Sequence, residues 1–168
     1  MRMFDFLSDG DPRWDQLTGG YRTQYNPFSV LTAVAKNPKN SAIWQEIWLN
    51  LYHQNDIGTA SYVTAAALIT LREAGVMFDW NLYAFIAGVE AYRHDERNPD
   101  LPEWLKASYD NAWTSISPLC IDDMAAETQL NVLRAYLATL ALAKRHRNLG
   151  ALLITIDDSE IIEWLDDH

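Results

Sequence analysis

Residues 43–71 read IWQEIWLNLYHQNDIGTASYVTAAALITL, and the fold class turns on this stretch. Ile43 with Trp44, Ile47 with Trp48, and Leu51 with Tyr52 recur as adjacent apolar pairs four apart. That spacing lays a broad stripe along one side of a helix, while Gln45, Glu46, Asn50 and His53 stay polar on the other. Asn40 caps this helix, and Asn55-Asp56-Ile57-Gly58 breaks it, with Gly58 free to take a positive φ. Thr59 or Ser61 caps the next helix, which runs to about Ala74. Its centre, VTAAALITL, is small and apolar, so neighbouring helices can approach Ala65, Ala66 and Ala67 closely. Gly75 stops it.

The same logic carries outward. Asn26-Pro27 starts a helix over 28–35, ended by Asn37-Pro38. Asp79 caps a long helix from Trp80 to about Arg97, with Tyr83, Phe85, Ile86, Val89 and Tyr92 at helical period. Asp100-Leu101-Pro102-Glu103 reads as a capping box for a helix carrying Trp104, Leu105, Tyr109 and Trp113, ending near Ser117-Pro118. Asp122 or Asp123 starts the longest helix, with Ala126, Leu130, Leu133, Leu137 and Leu140 on one face. Lys144 to Arg147 stand near its end, where the helix dipole favours cations. Gly150 breaks the chain, ALLITI at 151–156 is helix or packed linker, and Asp157 to Glu160 begin a last short helix. Residues 1–25 form an aromatic-rich leader whose Phe4, Phe6, Leu7, Trp14 and Tyr21 tuck onto the domain. The expectation is one all-helical domain over 1–168, with the array proper at 26–168. Paired helices begin near 40, 79 and 123, a rhythm of about 40 residues suited to two-helix repeats. An irregular helical bundle is the alternative.

Composition narrows the function. With 13 basic and 23 acidic residues the formal charge is −10, which repels phosphate backbones and favours a basic protein partner over nucleic acid. One cysteine, Cys120, allows no internal disulfide and no cysteine metal cluster. No signal peptide is read at residues 1–9, and the apolar run from Ala65 to Leu71 is too short to span a bilayer, so the cytoplasm and no membrane are expected.

Two polar segments could carry function. Residues 53–62, HQNDIGTASY, gather His53, Asp56 and Tyr62 around one glycine; they serve equally as caps and loop ties. A nucleophile built from Ser61, His53 and Asp56 has no elbow motif to seat it. Glu90, Arg93 and His94 share a helix face that reads either as a solvated ion-paired surface or as a binding ridge led by Arg93. Glu90 with His94 supplies two ligands of a metal site, and a third would have to come from afar, from His53 or Asp56. Neither cofactor nor metal is expected. Seven Trp supply core anchors, and Trp14 and Trp164 near the two ends could seal the array or form an interface.

The segment WQEIWLNLYHQNDIGTASY at 44–62, with Glu90 to Pro99 and Trp104, resembles a family of bacterial helical-repeat proteins of HEAT or armadillo type. There a Trp/Leu-rich helix leads through a His-Gln loop to a Ser-Tyr that opens an Ala-rich helix. The resemblance covers residues 40–115. It implies antiparallel hairpins stacked in a short right-handed array, and a non-enzymatic module that binds another protein, of immunity type. No catalytic residue comes with it. The other readings are a small helical enzyme or ligand-binding protein, with a pocket near His53, Asp56, Tyr62, Glu90, Arg93 and His94, and a homo-oligomer subunit.

Overall fold

The computed structural model describes residues 7–125 and 127–166. Phe4, Phe6 and Ala126 lie outside them, as does the Trp164 side chain. Among the described residues a 3-10 turn at Pro12–Gln16 precedes eight helices. These are α1 (Phe28–Lys36), α2 (Ser41–Leu51), α3 (Thr59–Glu73), α4 (Asn81–Tyr92), α5 (Glu103–Met124), α6 (Leu130–Ala143), α7 (Arg147–Thr155) and α8 (Asp158–Asp166). A short hairpin, β1 (Tyr52–His53) and β2 (Asp56–Ile57), joins α2 to α3. The fold is all-α.

α3 is the central element. It is apolar nearly all round, and such a helix must be enclosed. Every residue from Ala60 to Ile69 is buried. α3 packs on α4 and α5, α4 on α6 and α7, and α5 on α6. α3 and α4 thus meet α5 and α6, α7 contacts α4 and α6, and α1 contacts both α2 and α3.

Local capping follows the sequence closely at several starts. Asn40 Oδ1 accepts from the Ala42 and Ile43 amides at 2.9 and 3.3 Å. Asn26 and Asp79 accept from Phe28 and Asn81. Asp157 and Glu160 exchange backbone bonds as a capping box. At α5 no Asp100–Glu103 box forms; Pro102 is the N-cap, with no side-chain cap.

Several expectations are corrected. α5 does not stop at Pro118 but continues to Met124, so Asp122 and Asp123 end a helix instead of starting one. An interior proline costs a hydrogen bond and a clash, about 3 kcal/mol. The turn beyond it is anchored from three helices: Arg72 forks onto Asp123 at 2.7 and 2.9 Å, Tyr83 Oη donates to Asp123 Oδ2 at 2.5 Å, and Cys120 Sγ donates to the Tyr136 carbonyl at 3.4 Å. The next helix consequently begins at Leu130, off the 40-residue rhythm. Its leucine stripe is not the buried face: Leu130 and Leu137 are exposed, and Val132, Ala135, Tyr136, Thr139 and Leu142 face inward. Ala135, Ala138 and Thr139 on that face let α6 approach α4 closely, Thr139 Oγ1 reaching the Tyr83 carbonyl at 3.1 Å. Gly150 lies inside α7, where a Cβ would stand 2.4 Å from Leu142 Cγ.

α4 ends at Tyr92, not near Arg97. Asn98 Nδ2 donates to the Tyr92 and Asn55 carbonyls, and its Oδ1 accepts from Ile57, so one side chain ties this end to the hairpin. The hairpin turns on Gln54 (φ 47) and Asn55 (φ 71), both left-handed, as a two-residue connection requires. Gly58 is extended at φ −119, so it does not supply the positive φ. It is needed for space, since a Cβ there would meet the Thr18 and Gly19 carbonyl oxygens at 2.0 and 2.4 Å. The leader is seated on this hairpin: Ala60 N donates to Thr18 O, and Gly20 N to Asn50 O. Leu7, Trp14 and Leu17 are buried, so Trp14 is core and not an interface, whereas Tyr21 is exposed.

Candidate functional site

The end of α4 builds a polar cleft of about 560 Å³ against α5 and the α6–α7 turn. Arg93 grips Glu90 with both arms of its guanidinium, at 2.8 and 2.9 Å. Glu90 Oε2 also accepts from Tyr109 Oη at 2.9 Å, and the Arg93 guanidinium lies 5.6 Å from the Tyr109 ring centre. Tyr109 is enclosed, and burial together with the Glu90 charge holds its hydroxyl well above the usual phenol range. Trp113, Leu142 and Ala143 make an apolar wall, and Lys144, Arg145 and Arg147 stand at the rim. The Trp113 Nε1–H is close enough to Tyr109 to favour its anion slightly, but its geometry completes no hydrogen bond. Burial, then Arg93 and Arg147, depress the His94 pKa below its ordinary value, so the ring is neutral at pH 7.

Of the six residues singled out by sequence, Glu90, Arg93 and His94 line this cleft. The other three do not. His53 stacks on Tyr21 at 4.2 Å, and Asp56 lies 3.8 Å from both Arg22 and Arg97. Tyr62 Oη donates to the Pro99 carbonyl at 2.6 Å. The 53–62 loop and the end of α4 do meet, but through Asn98 and Arg22, whose guanidinium donates to the Ile57 and Arg97 carbonyls. These are ties between chain segments, and Tyr62 Oη also reaches the Arg93 carbonyl at 3.5 Å; the cleft itself lies between the end of α4, α5 and the α6–α7 turn, without His53, Asp56 or Tyr62 in its lining. Ser61 is no nucleophile: it is fully buried, accepts from Gly58 N at 3.0 Å and donates to the Leu51 carbonyl at 2.6 Å. The Cys120 thiol is buried and pushed up to about 12, far from the thiolate form. Among the described residues no three His, Cys, Asp or Glu gather as metal ligands, and no helix is long and apolar enough to cross a membrane.

Sequence reasoning missed Tyr109 and Trp113 as cleft walls, and assigned the basic run to a helix end. The signal was present in Lys144-Arg145-His146-Arg147; what was hidden was that the helix stops at Ala143 and a new one opens at Arg147.

A second, more apolar groove of about 300 Å³ lies between α2, α4, α6 and α7. Trp48, Tyr52, Trp80, Leu153 and Ile154 line it, with Gly88 at its base. Trp48 Nε1 donates to Asn81 Oδ1 at 2.9 Å, and the indole meets Phe85 edge-on at 5.5 Å. Trp80 is 40% exposed at the groove's margin, near α4's start, and Met77 and Leu49 are also exposed.

No family model, curated protein or solved structure matches the chain.

Proposed function

We propose that the protein is a non-enzymatic interaction module that binds a basic protein through the Trp80 groove, in the manner of an immunity protein that neutralises its partner. The exposed Trp80 beside an aromatic groove carries this reading. Tryptophan is among the residues most enriched where binding energy is concentrated, and Trp80 adjoins a groove lined by further aromatic side chains. The net charge of −10 favours a cationic partner and speeds its encounter. The helical-repeat resemblance, with its implied stacked hairpins, supports the same class. So do the committed Ser61 hydroxyl and the neutralised Glu90 carboxylate, neither of which is poised for catalysis.

The test is capture of the tagged chain's partner alongside a Trp80→Glu variant of unchanged melting temperature. A basic protein recovered at one-to-one stoichiometry, and lost from the variant, is the expected result. Equal recovery by both chains, or a partner that is acidic, counts against the reading. Light scattering on the free chain separates this from self-association, which would show a dimer or larger species that Trp80→Glu dissolves.

A further inference from the structure

The basic rim of the polar cleft breaks two local rules at once. Arg145 adopts φ 65, the left-handed region that glycine takes without strain. It closes α6 where a glycine is the usual residue: its amide donates to Leu142 O and the next to Ala141 O. Arg147 is the first residue of α7, the positive pole of that helix, and no acid stands in the first turn to offset it. The dipole of α6 explains Lys144 alone. Among the described residues none of these three cations has an acidic partner within 4 Å, although the chain carries 23 acids. Asp95 acts on Arg147 only from beyond contact distance, and local choices of this kind cluster where ligands bind.

The cleft supplies an independent sign. Trp113 is 8% exposed and walls the cleft, and its indole N–H, near the Tyr109 hydroxyl, completes no hydrogen bond of good geometry. Buried donors are rarely left so. Of the cleft's carboxylates Glu90 already pairs with Arg93 and Tyr109, which leaves Asp110 facing Lys144, Arg145 and Arg147. A volume of about 560 Å³ suits a small molecule, and the acidic surface around it disfavours a nucleic acid.

We propose that this cleft binds a small organic anion: Lys144, Arg145 and Arg147 hold its phosphate or carboxylate, and its apolar or aromatic body lies on the Trp113–Leu142 wall. The Trp113 N–H gives a further donor to the bound molecule. The Glu90–Arg93–Tyr109 unit stiffens the far wall and keeps Glu90 from repelling the anion. This site is independent of the Trp80 groove and does not rest on the partner reading.

The experiment is a titration of the intact chain, followed by ¹H–¹⁵N spectra at low ionic strength, with phenyl phosphate, benzoate and uncharged phenol as probes. Trp113→Phe identifies the Trp113 indole signal. Saturable movement of that signal and of the amides at 145–149 is expected with at least one anion and not with phenol. The tighter of the two anions tells phosphate from carboxylate. The double variant Arg145→Gly with Arg147→Gln should weaken binding by about tenfold or more, as loss of charge-assisted contacts requires. If that variant does not fold, Lys144→Gln, on an exposed side chain, serves instead and should weaken binding about threefold. Signals that stay still at about 10 mM of both anions, well above a millimolar dissociation constant, overturn the proposal. So do equal shifts with phenol, or unchanged affinity in the folded variants.

Discussion

Two backbone positions show how a residue's meaning depends on what surrounds it. Gly58 reads as a turn glycine, yet its backbone is extended and the left-handed residues are Gln54 and Asn55. Glycine is required because the leader crosses directly over it. Both atoms that a Cβ would strike are backbone carbonyls, which cannot rotate aside as a side chain would. Gly58→Ala is therefore expected to lower stability by about 2–3 kcal/mol through overpacking. Urea denaturation measures this, and an unchanged midpoint would mean the leader is not seated on the hairpin. Arg145 is the opposite case, a side chain where glycine fits better. Arg145→Gly is expected to raise stability by about 1 kcal/mol, the cost of a left-handed non-glycine residue. A higher thermal midpoint with weaker anion binding would show strain retained for function; a lower midpoint would mean the arginine side chain itself holds the turn.

Elements were legible where their signals are local. Asn26, Asn40, Asp79 and Asp157 mark helix starts because a cap bonds amides only two or three residues away. α5 was misread because its continuation past Pro118 depends on groups far along the chain. Arg72 and Asp123 are 51 residues apart in sequence, and each side chain is only 11% exposed. Burial alone would raise the Asp123 pKa; the bonds from Arg72 and Tyr83 outweigh that and hold it below the ordinary 3.8. A carboxyl depressed by folding contributes stability that is present above its unfolded pKa and is lost as pH falls through its folded one. Asp123→Asn should therefore show its full deficit relative to the parent throughout the neutral range, and the gap should close as pH falls below the ordinary 3.8. Asp123→Ala, which leaves Arg72 buried and unpaired, should cost about 3–4 kcal/mol at neutral pH. Denaturation midpoints across pH check both, and a pH-independent gap would mean the pair contributes packing and not charge.

At the scale of the molecule, the two proposals assign the acidic surface and the basic cleft separate roles. If the −10 charge steers a cationic partner, binding at the Trp80 groove should weaken as salt rises, chiefly through slower association. Stopped-flow mixing at two ionic strengths tests it, and a salt-independent association rate would remove the electrostatic part of the reading. Trp80→Glu should leave anion binding at the cleft intact, and the Arg145 and Arg147 substitutions should leave partner capture intact. The two surfaces lie on different helix combinations, so loss of one function need not entail loss of the other.

The sequence alone determined that the chain is helical, that the middle of α3 is small and apolar enough for close helix approach, and where most helices start. Those properties are written in spacing and caps, which act over a turn or two. The face each helix buries, the passage of α5 through Pro118 and the breakpoint between α6 and α7 were decided only by tertiary structure. The leucines of α6 are more hydrophobic than the residues beside them, but the space left by α4 and α5 admits Ala135, Tyr136 and Thr139 instead. The cleft follows from the same packing. Glu90 and Arg93 were visible as a pair in the sequence, but Tyr109, Trp113 and the 144–147 turn join them only because α4, α5 and α6 converge there, and convergence is a property of packed helices rather than of any one of them.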